Sequence, residues 1–114
     1  MKSPITTHVL DTAQGRPAAG ISVTLENFDS GDWRKLGQDR TDADGRITTL
    51  LRPDHSLEAG VYRLTFETAA YFAAMQTRYF YPYVTVVFEI TDTAGHYHVP
   101  LLLNPFGYST YRGS

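Results

Sequence analysis

The stretch ISVTLE, residues 21–26, alternates apolar and polar side chains without a break. Because successive side chains of a strand point to opposite faces, this alternation predicts a strand with one buried and one solvent-facing side. Similar short segments lie on both sides of it at intervals of about ten residues, and clusters of Gly, Pro, Asn and Asp separate them. This spacing is typical of an all-β sandwich or barrel.

Only one segment of the chain favours a helix. Residues 69–76 are good helix formers, and Pro82 prevents the helix from continuing much further. The remaining segments predict strands, and the tail adds an eighth. In chain order the predicted strands span residues 5–11, 21–26, 33–40, 46–51, 61–67, 84–91, 96–103 and 108–114.

Composition narrows the class of protein. The 114 residues fit a single domain, residues 1–114, which is large enough to bury a core without covalent staples. There is no cysteine, which excludes disulfides and thiolate chemistry and fits a reducing compartment. The net charge of −2 lacks the basic excess of a nucleic-acid binder, and no apolar run approaches the roughly 20 residues of a membrane span. We therefore expect a cytoplasmic protein without nucleic-acid or membrane partners.

Histidines occupy one face of two predicted strands. In the first strand, Thr6, His8 and Leu10 share a face, because alternate residues of a strand point the same way. The last long strand groups its own histidines with two apolar residues: His96, His98, Pro100 and Leu102. One interpretation is surface histidines without a chemical role. The other is proton transfer near neutral pH, which requires the two strands to be brought together.

Metal binding is the weaker hypothesis. His96 and His98 have a spacing that can hold zinc, but a third ligand would have to come from His8, His55 or a carboxylate without recognisable spacing. Residues 42–45 (DADG) resemble the start of a calcium loop, yet the remaining carboxylates of such a loop do not follow. We predict a plain turn there and no metal site.

Two other features point to packing between copies of the chain. Pro100 has no N–H to donate inside a strand, which favours a sheet edge, a bulge or an exposed inter-subunit face. The tail Tyr111-Arg112-Gly113-Ser114 carries more aromatic character than a disordered terminus usually has, so we expect it to dock.

Two longer motifs resemble the transthyretin family. Residues 8–23 (HVLDTAQGRPAAGISV) resemble its amino-terminal signature, and residues 97–109 (YHVPLLLNPFGYS) its carboxy-terminal signature. Asn104 departs from the pattern, since serine is usual there. The family has a branch that carries thyroid hormone and a transthyretin-related branch that hydrolyses 5-hydroxyisourate in urate degradation. The ending Tyr111-Arg112-Gly113-Ser114 resembles the hallmark of the hydrolase branch.

The resemblance implies a fold and an assembly. The family fold is an eight-stranded β-sandwich of two four-stranded sheets with one short helix. Subunits join edge to edge, and two dimers pack face to face into a homotetramer. The faces that carry His8 and His98 would then line a channel between dimers, where a carrier has lysine and threonine instead. A carrier has glutamate where this chain has Arg46. At all three positions this chain therefore resembles the hydrolase branch and not the carrier.

The resemblance also implies roles in hydrolysis of the ring amide between N1 and C6 of 5-hydroxyisourate, with no cofactor. His98 is the favoured general base and His8 its partner, although either can fill the role. Arg46 would stabilise the oxyanion and bind ring carbonyls, and Ser114 would position substrate or water through its hydroxyl or terminal carboxylate. Tyr111 and Arg112 would hold the tail across the site and contact substrate.

The product would be 2-oxo-4-hydroxy-4-carboxy-5-ureidoimidazoline. The alternative function is a non-catalytic, transthyretin-like binding protein for a small hormone-type ligand.

Overall fold

A computed structural model describes residues 3–114 as a β-sandwich with one short helix. Its elements are, in chain order, β1 Ile5–Asp11, β2 Arg16–Pro17, β3 Ser22–Asp29, β4 Asp32–Arg40, β5 Arg46–Ile47, β6 Gly60–Phe66, α1 Thr68–Ala74, β7 Val84–Ile90, β8 Tyr97–Asn104 and β9 Gly107–Thr110. The all-β prediction is confirmed. The described residues hold one strand more than predicted, because the two-residue β2 forms within the expected turn.

The strands form two sheets. One has the order β4-β3-β6-β7, and the other has the order β2-β1-β8-β9 with β5 also paired to β1. The pairing of β1 with β8 is parallel, whereas the other strand pairs are antiparallel. This parallel pair joins the two histidine-bearing strands and sets them side by side over their full length.

The core lies between the sheets and consists of the apolar faces that alternation predicts. The inward side chains of β3, β6 and β8 are almost fully buried, for example Val23, Leu64 and Leu101 at 0% exposure. Burying such side chains stabilises the fold by about 1.5–3 kcal/mol each. The outer face of the β1–β8 pair points away from this core and carries polar side chains, including His8 and His98.

Two strand predictions were wrong in detail. β5 ends at Ile47 rather than at residue 51, because both Leu50 and Leu51 are buried and a regular strand would point them to opposite faces. Pro100 does not lie at a sheet edge: it is buried in β8, between β1 and β9.

Pro100 still shapes the sheet. Leu101 pairs with Thr110 and His98 with Gly113 in one continuous register, which sets Pro100 opposite Tyr111. The ladder is interrupted there because proline has no N–H to donate. The carbonyl of Pro100 instead accepts a hydrogen bond of 2.6 Å from the Thr110 hydroxyl.

The predicted helix ends earlier than expected, at Ala74. Residues 42–45 form the predicted plain turn, in which the Asp42 carboxylate accepts hydrogen bonds from the N–H groups of Asp44 and Arg46. None of the helices formed by residues 3–114 is long and apolar enough to cross a membrane.

Candidate active site

His8 and Arg46 lie directly opposite each other on neighbouring strands. The antiparallel register of β1 and β5 pairs the two residues, so their side chains project from the same face of the sheet. His8 is half-buried, and its Nε2 lies 2.8 Å from the carbonyl oxygen of Asp44. Because a carbonyl only accepts, Nε2 must donate, which leaves Nδ1 as the unprotonated nitrogen of neutral His8.

Thr6 and His98 form the second pair on this face. The parallel register of β1 and β8 sets them side by side, and Thr6 Oγ1 lies 2.8 Å from His98 Nδ1. The same hydroxyl lies 3.3 Å from Nε2 of His96, which is exposed just before β8 begins. One buried hydroxyl therefore joins two imidazoles, one half-buried and one at the surface.

The chain terminus returns to His98. The N–H of Gly113 donates a hydrogen bond of 2.8 Å to the His98 carbonyl, which extends the sheet beyond β9. A Cβ atom at Gly113 would lie 2.6 Å from His98 Cδ2, closer than real contacts allow. Only glycine lets the terminus pass so close to the imidazole, and Ser114 follows immediately.

These residues surround a cavity of about 400 Å³. Its wall brings together three of the predicted catalytic residues, Arg46, His98 and Ser114, which come from β5, β8 and the terminus. Thr6, Thr7, Thr48 and His96 complete the lining. The volume suits a small ring molecule. An imidazole and a guanidinium on one wall can transfer a proton and stabilise an oxyanion.

Of the other predicted residues, His8 lies beside this cavity, whereas Tyr111 and Arg112 lie outside it. His8 lies on β1, directly opposite Arg46 on the neighbouring strand β5. Tyr111 and Arg112 are exposed and line a separate cleft of about 250 Å³, where β7 approaches β8 and the tail. The Arg112 guanidinium lies 4.7 Å from the centre of the Tyr97 ring, a cation–π contact that fixes the tail at the edge of the sheet.

The sequence alone assigns no role to Thr6 or Gly113, and to His96 only the weaker hypothesis of a zinc ligand. Alternation alone places Thr6 on the face of His8, and His96 on the face of His98. The parallel register that makes these faces neighbours was the missing information. Among residues 3–114, no group of three or more His, Asp or Glu side chains is arranged to hold a metal ion.

Comparison with known proteins gives this geometry a family. The 5-hydroxyisourate hydrolase of Mus musculus is 46% identical over 114 residues, which covers 98% of this chain and 96% of the mouse protein. The solved structure of Klebsiella pneumoniae 5-hydroxyisourate hydrolase has a TM-score of 0.82 and 39% identity, covering 96% of this chain and 98% of that one.

A second solved structure, sea bream transthyretin in complex with thyroxine, has a TM-score of 0.90 and 32% identity, covering 97% of this chain and 95% of that one. Backbone shape therefore does not separate hydrolases from hormone-binding relatives, and the side chains of the site must do so. The family model described as HIUase/Transthyretin family matches residues 5–113. The chain belongs to the HIUase/Transthyretin family.

Proposed function

We propose that this protein is a hydrolase of urate degradation that converts 5-hydroxyisourate and water to 2-oxo-4-hydroxy-4-carboxy-5-ureidoimidazoline. The observation that carries the proposal is the cavity that unites Arg46, His98 and Ser114. Relatives named 5-hydroxyisourate hydrolase support it, since the mouse protein is 46% identical over nearly the whole chain.

His98 is the general base in this proposal. Its Nδ1 is engaged by the Thr6 hydroxyl, so Nε2 takes the proton from water. The hydroxide formed attacks C6 of the ring amide, and the bond to N1 breaks as N1 is protonated. His8, whose Nε2 donates to the Asp44 carbonyl, orients water, or in its protonated form supplies that proton from Nδ1 and regains one from the carboxylic acid formed at C6.

Arg46 and the tail position the substrate. The Arg46 guanidinium presents a planar set of donors to the flat ring and to the oxyanion that forms at C6. Ser114 lines the same cavity and offers a hydroxyl. Tyr111 and Arg112 lie outside this cavity and act through the tail, which the contact between Arg112 and the Tyr97 ring holds at the sheet edge. The reaction needs no cofactor.

We propose a homotetramer, a dimer of dimers, as the working assembly. A single subunit exposes large aromatic side chains, including Phe80 at 69% and Phe106 at 64%, and the Tyr81 ring contacts both Phe80 and Tyr108 edge to face. Exposed apolar patches of this kind mark interfaces. Packing two β1–β8 faces together would close the open cavity and exclude water from it. The lack of cysteine fits a cytoplasmic location.

The alternative is a small-ligand binding protein without catalysis, since sea bream transthyretin, solved in complex with thyroxine, shares the backbone fold with a TM-score of 0.90. The lining of the cavity favours the enzyme, since it consists of three threonines, two histidines, an arginine and a serine. An apolar ligand would leave most of those polar groups without hydrogen bonds, which costs free energy.

A kinetic assay tests the proposal directly. 5-Hydroxyisourate is generated in situ by oxidation of urate, and its ultraviolet absorbance is followed with and without the protein. We expect decay well above the spontaneous rate. Decay traces that overlay the protein-free control, together with calorimetric binding of thyroxine, would establish the binding protein instead.

A further inference from the structure

The Thr6 hydroxyl occupies a position between two histidines. Thr6 is buried at 3% exposure, and its Oγ1 is within hydrogen-bond distance of His98 Nδ1 at 2.8 Å and of His96 Nε2 at 3.3 Å. His98 and His96 both line the cavity, but His98 is half-buried, whereas His96 is exposed and also borders a second surface pocket beside Pro53. The three side chains thus connect the cavity with solvent.

A hydroxyl between two ring nitrogens can donate a hydrogen bond to one of them and accept a hydrogen bond from the other. It carries one hydrogen to donate and lone pairs to accept, and a neutral imidazole has one N–H and one bare nitrogen. If His98 Nδ1 donates to Thr6, then Thr6 donates to a bare His96 Nε2, and the reverse arrangement is equally complete. The tautomers of His98 and His96 are therefore coupled through Thr6.

The proposed reaction makes one proton in excess. Cleavage of the ring amide gives a carboxylic acid, which ionises near neutral pH, and a ureido nitrogen, which is not basic enough to hold the proton. When His8 supplies the N1 proton and regains one from the new carboxylic acid, the water proton on His98 Nε2 is the one that must leave the site in every turnover. Arg46 shares the cavity wall, but a guanidinium has donors only and offers no acceptor for this proton.

We propose that His98, Thr6 and His96 form a relay that carries this proton from the cavity to solvent. The inference rests on the proposed hydrolysis. As His98 Nε2 gains a proton from water, the Nδ1 proton of His98 passes to Thr6 Oγ1, and the Thr6 hydroxyl proton passes to His96 Nε2. His96 then releases a proton to bulk water from Nδ1. His98 is left neutral with a proton on Nε2. After product release, Nε2 gives that proton to water in the open cavity. The Nε2 proton of His96 passes back through Thr6 to His98 Nδ1, and His96 Nδ1 takes a proton from bulk water, which restores both tautomers.

Paired variants test the relay. His96→Gln removes the proton acceptor at an exposed position, and Thr6→Val removes the hydroxyl at nearly constant volume, whereas Thr6→Ser keeps it. At low buffer concentration we expect kcat of His96→Gln and Thr6→Val to fall at least about tenfold with little change in KM, and Thr6→Ser to retain most of it. His55→Gln, a substitution of an exposed histidine outside the relay, controls for the loss of an imidazole.

Buffer rescue separates a relay from a structural role. Added imidazole should restore kcat of His96→Gln in proportion to its concentration, because an external base can accept the proton. A structural defect would not respond to buffer. Wild-type kcat in His96→Gln at low buffer, or a loss of kcat that imidazole does not restore, would overturn the relay. Because the wild-type protein is assayed in parallel, failure of the hydrolysis itself would be seen separately as absence of wild-type turnover.

Discussion

The backbone of Gly113 lies against the imidazole of His98. Its N–H donates a 2.8 Å hydrogen bond to the His98 carbonyl, and a Cβ atom in its place would approach Cδ2 of the ring to 2.6 Å. The tail is therefore hydrogen-bonded to the strand that carries the proposed base, and its backbone packs against the imidazole ring of that base. Any side chain at this position must displace either the ring or the tail.

Replacing this glycine should reduce turnover more than stability. We expect Gly113→Ala to lower kcat/KM by about 10²-fold, the loss typical of a catalytic group displaced by roughly 1 Å. Thermal unfolding should change little, because the tail is largely exposed. Gly107→Ala in β9 is the matched control, since its Cβ would meet only Asn104 at 3.7 Å or more. Equal activities for the two variants would show that the tail does not position His98.

Substitution of the cavity residues should separate chemistry from folding. Each of His98→Asn, His8→Asn and Arg46→Ala is expected to lower turnover by about 10²–10⁴-fold, because each removes proton transfer or oxyanion stabilisation. Circular dichroism should show an intact fold, since all three side chains project from the outer face of the sheet. Near-normal turnover in all three variants would place the active site elsewhere.

Side-chain alternation made the fold predictable. The buried faces of β1 and β8 followed directly from period-two patterning, because one sheet face must meet the core. The family resemblance of two motifs is confirmed by the family match over residues 5–113. What alternation could not supply was the partner of each strand, since it defines faces and not neighbours.

The relation between Thr6 and His98 shows this limit most clearly. They are 92 residues apart, and only the parallel register of β1 and β8 brings them together. Pro100 misled the prediction for a related reason. The missing N–H donor suggested a sheet edge. However, the hydrogen-bonded pairing of β8 with the tail is interrupted opposite Pro100, so a central strand can accommodate the proline.

The hydrogen bond between Tyr71 and Asp11 lies away from the site, so its removal should change stability and leave turnover unaffected. The Tyr71 hydroxyl donates a 2.7 Å hydrogen bond to Asp11, whose carboxylate is buried at 1% exposure. Tyr71→Phe leaves that oxygen without the tyrosine donor, so we expect a loss of about 1–3 kcal/mol in the free energy of unfolding with normal turnover. Urea denaturation measures the change, and Tyr83→Phe at an exposed tyrosine is the control. A variant as stable as the wild type would contradict the assignment.

The same pair predicts a response to alkaline pH. Burial, reinforced by the hydrogen bond to the Asp11 carboxylate, raises the pKa of Tyr71 above its ordinary value. A raised folded-state pKa contributes stability that is present below the unfolded pKa of about 10 and is lost as pH rises through the folded value. The free energy of unfolding should therefore fall with pH above about 10, and less steeply in Tyr71→Phe. Burial raises the pKa of Tyr62 as well, so part of the slope should persist in the variant.

Removal of the tail tests the assembly and the site together. Tyr111, Arg112 and Ser114 are exposed and contribute little to the core, yet Ser114 lines the cavity and Gly113 holds the strand of His98. Deleting residues 111–114 should therefore leave a folded protein whose kcat/KM falls by about 10²-fold or more. Light scattering should give the mass of four 12.8 kDa chains for the intact protein, because the exposed aromatic patch and the open cavity both need covering.

The truncated form should keep that mass, since the aromatic patch around Phe80 and Phe106 does not include the deleted residues. Ser114→Ala, which removes only the hydroxyl, is the matched variant and separates that hydroxyl from the rest of the tail. A fully active monomer would contradict the closed channel even if hydrolysis were observed. Wild-type turnover after deletion of residues 111–114 would contradict the tail's part in the site, because the cavity would then work without the element that forms one of its walls.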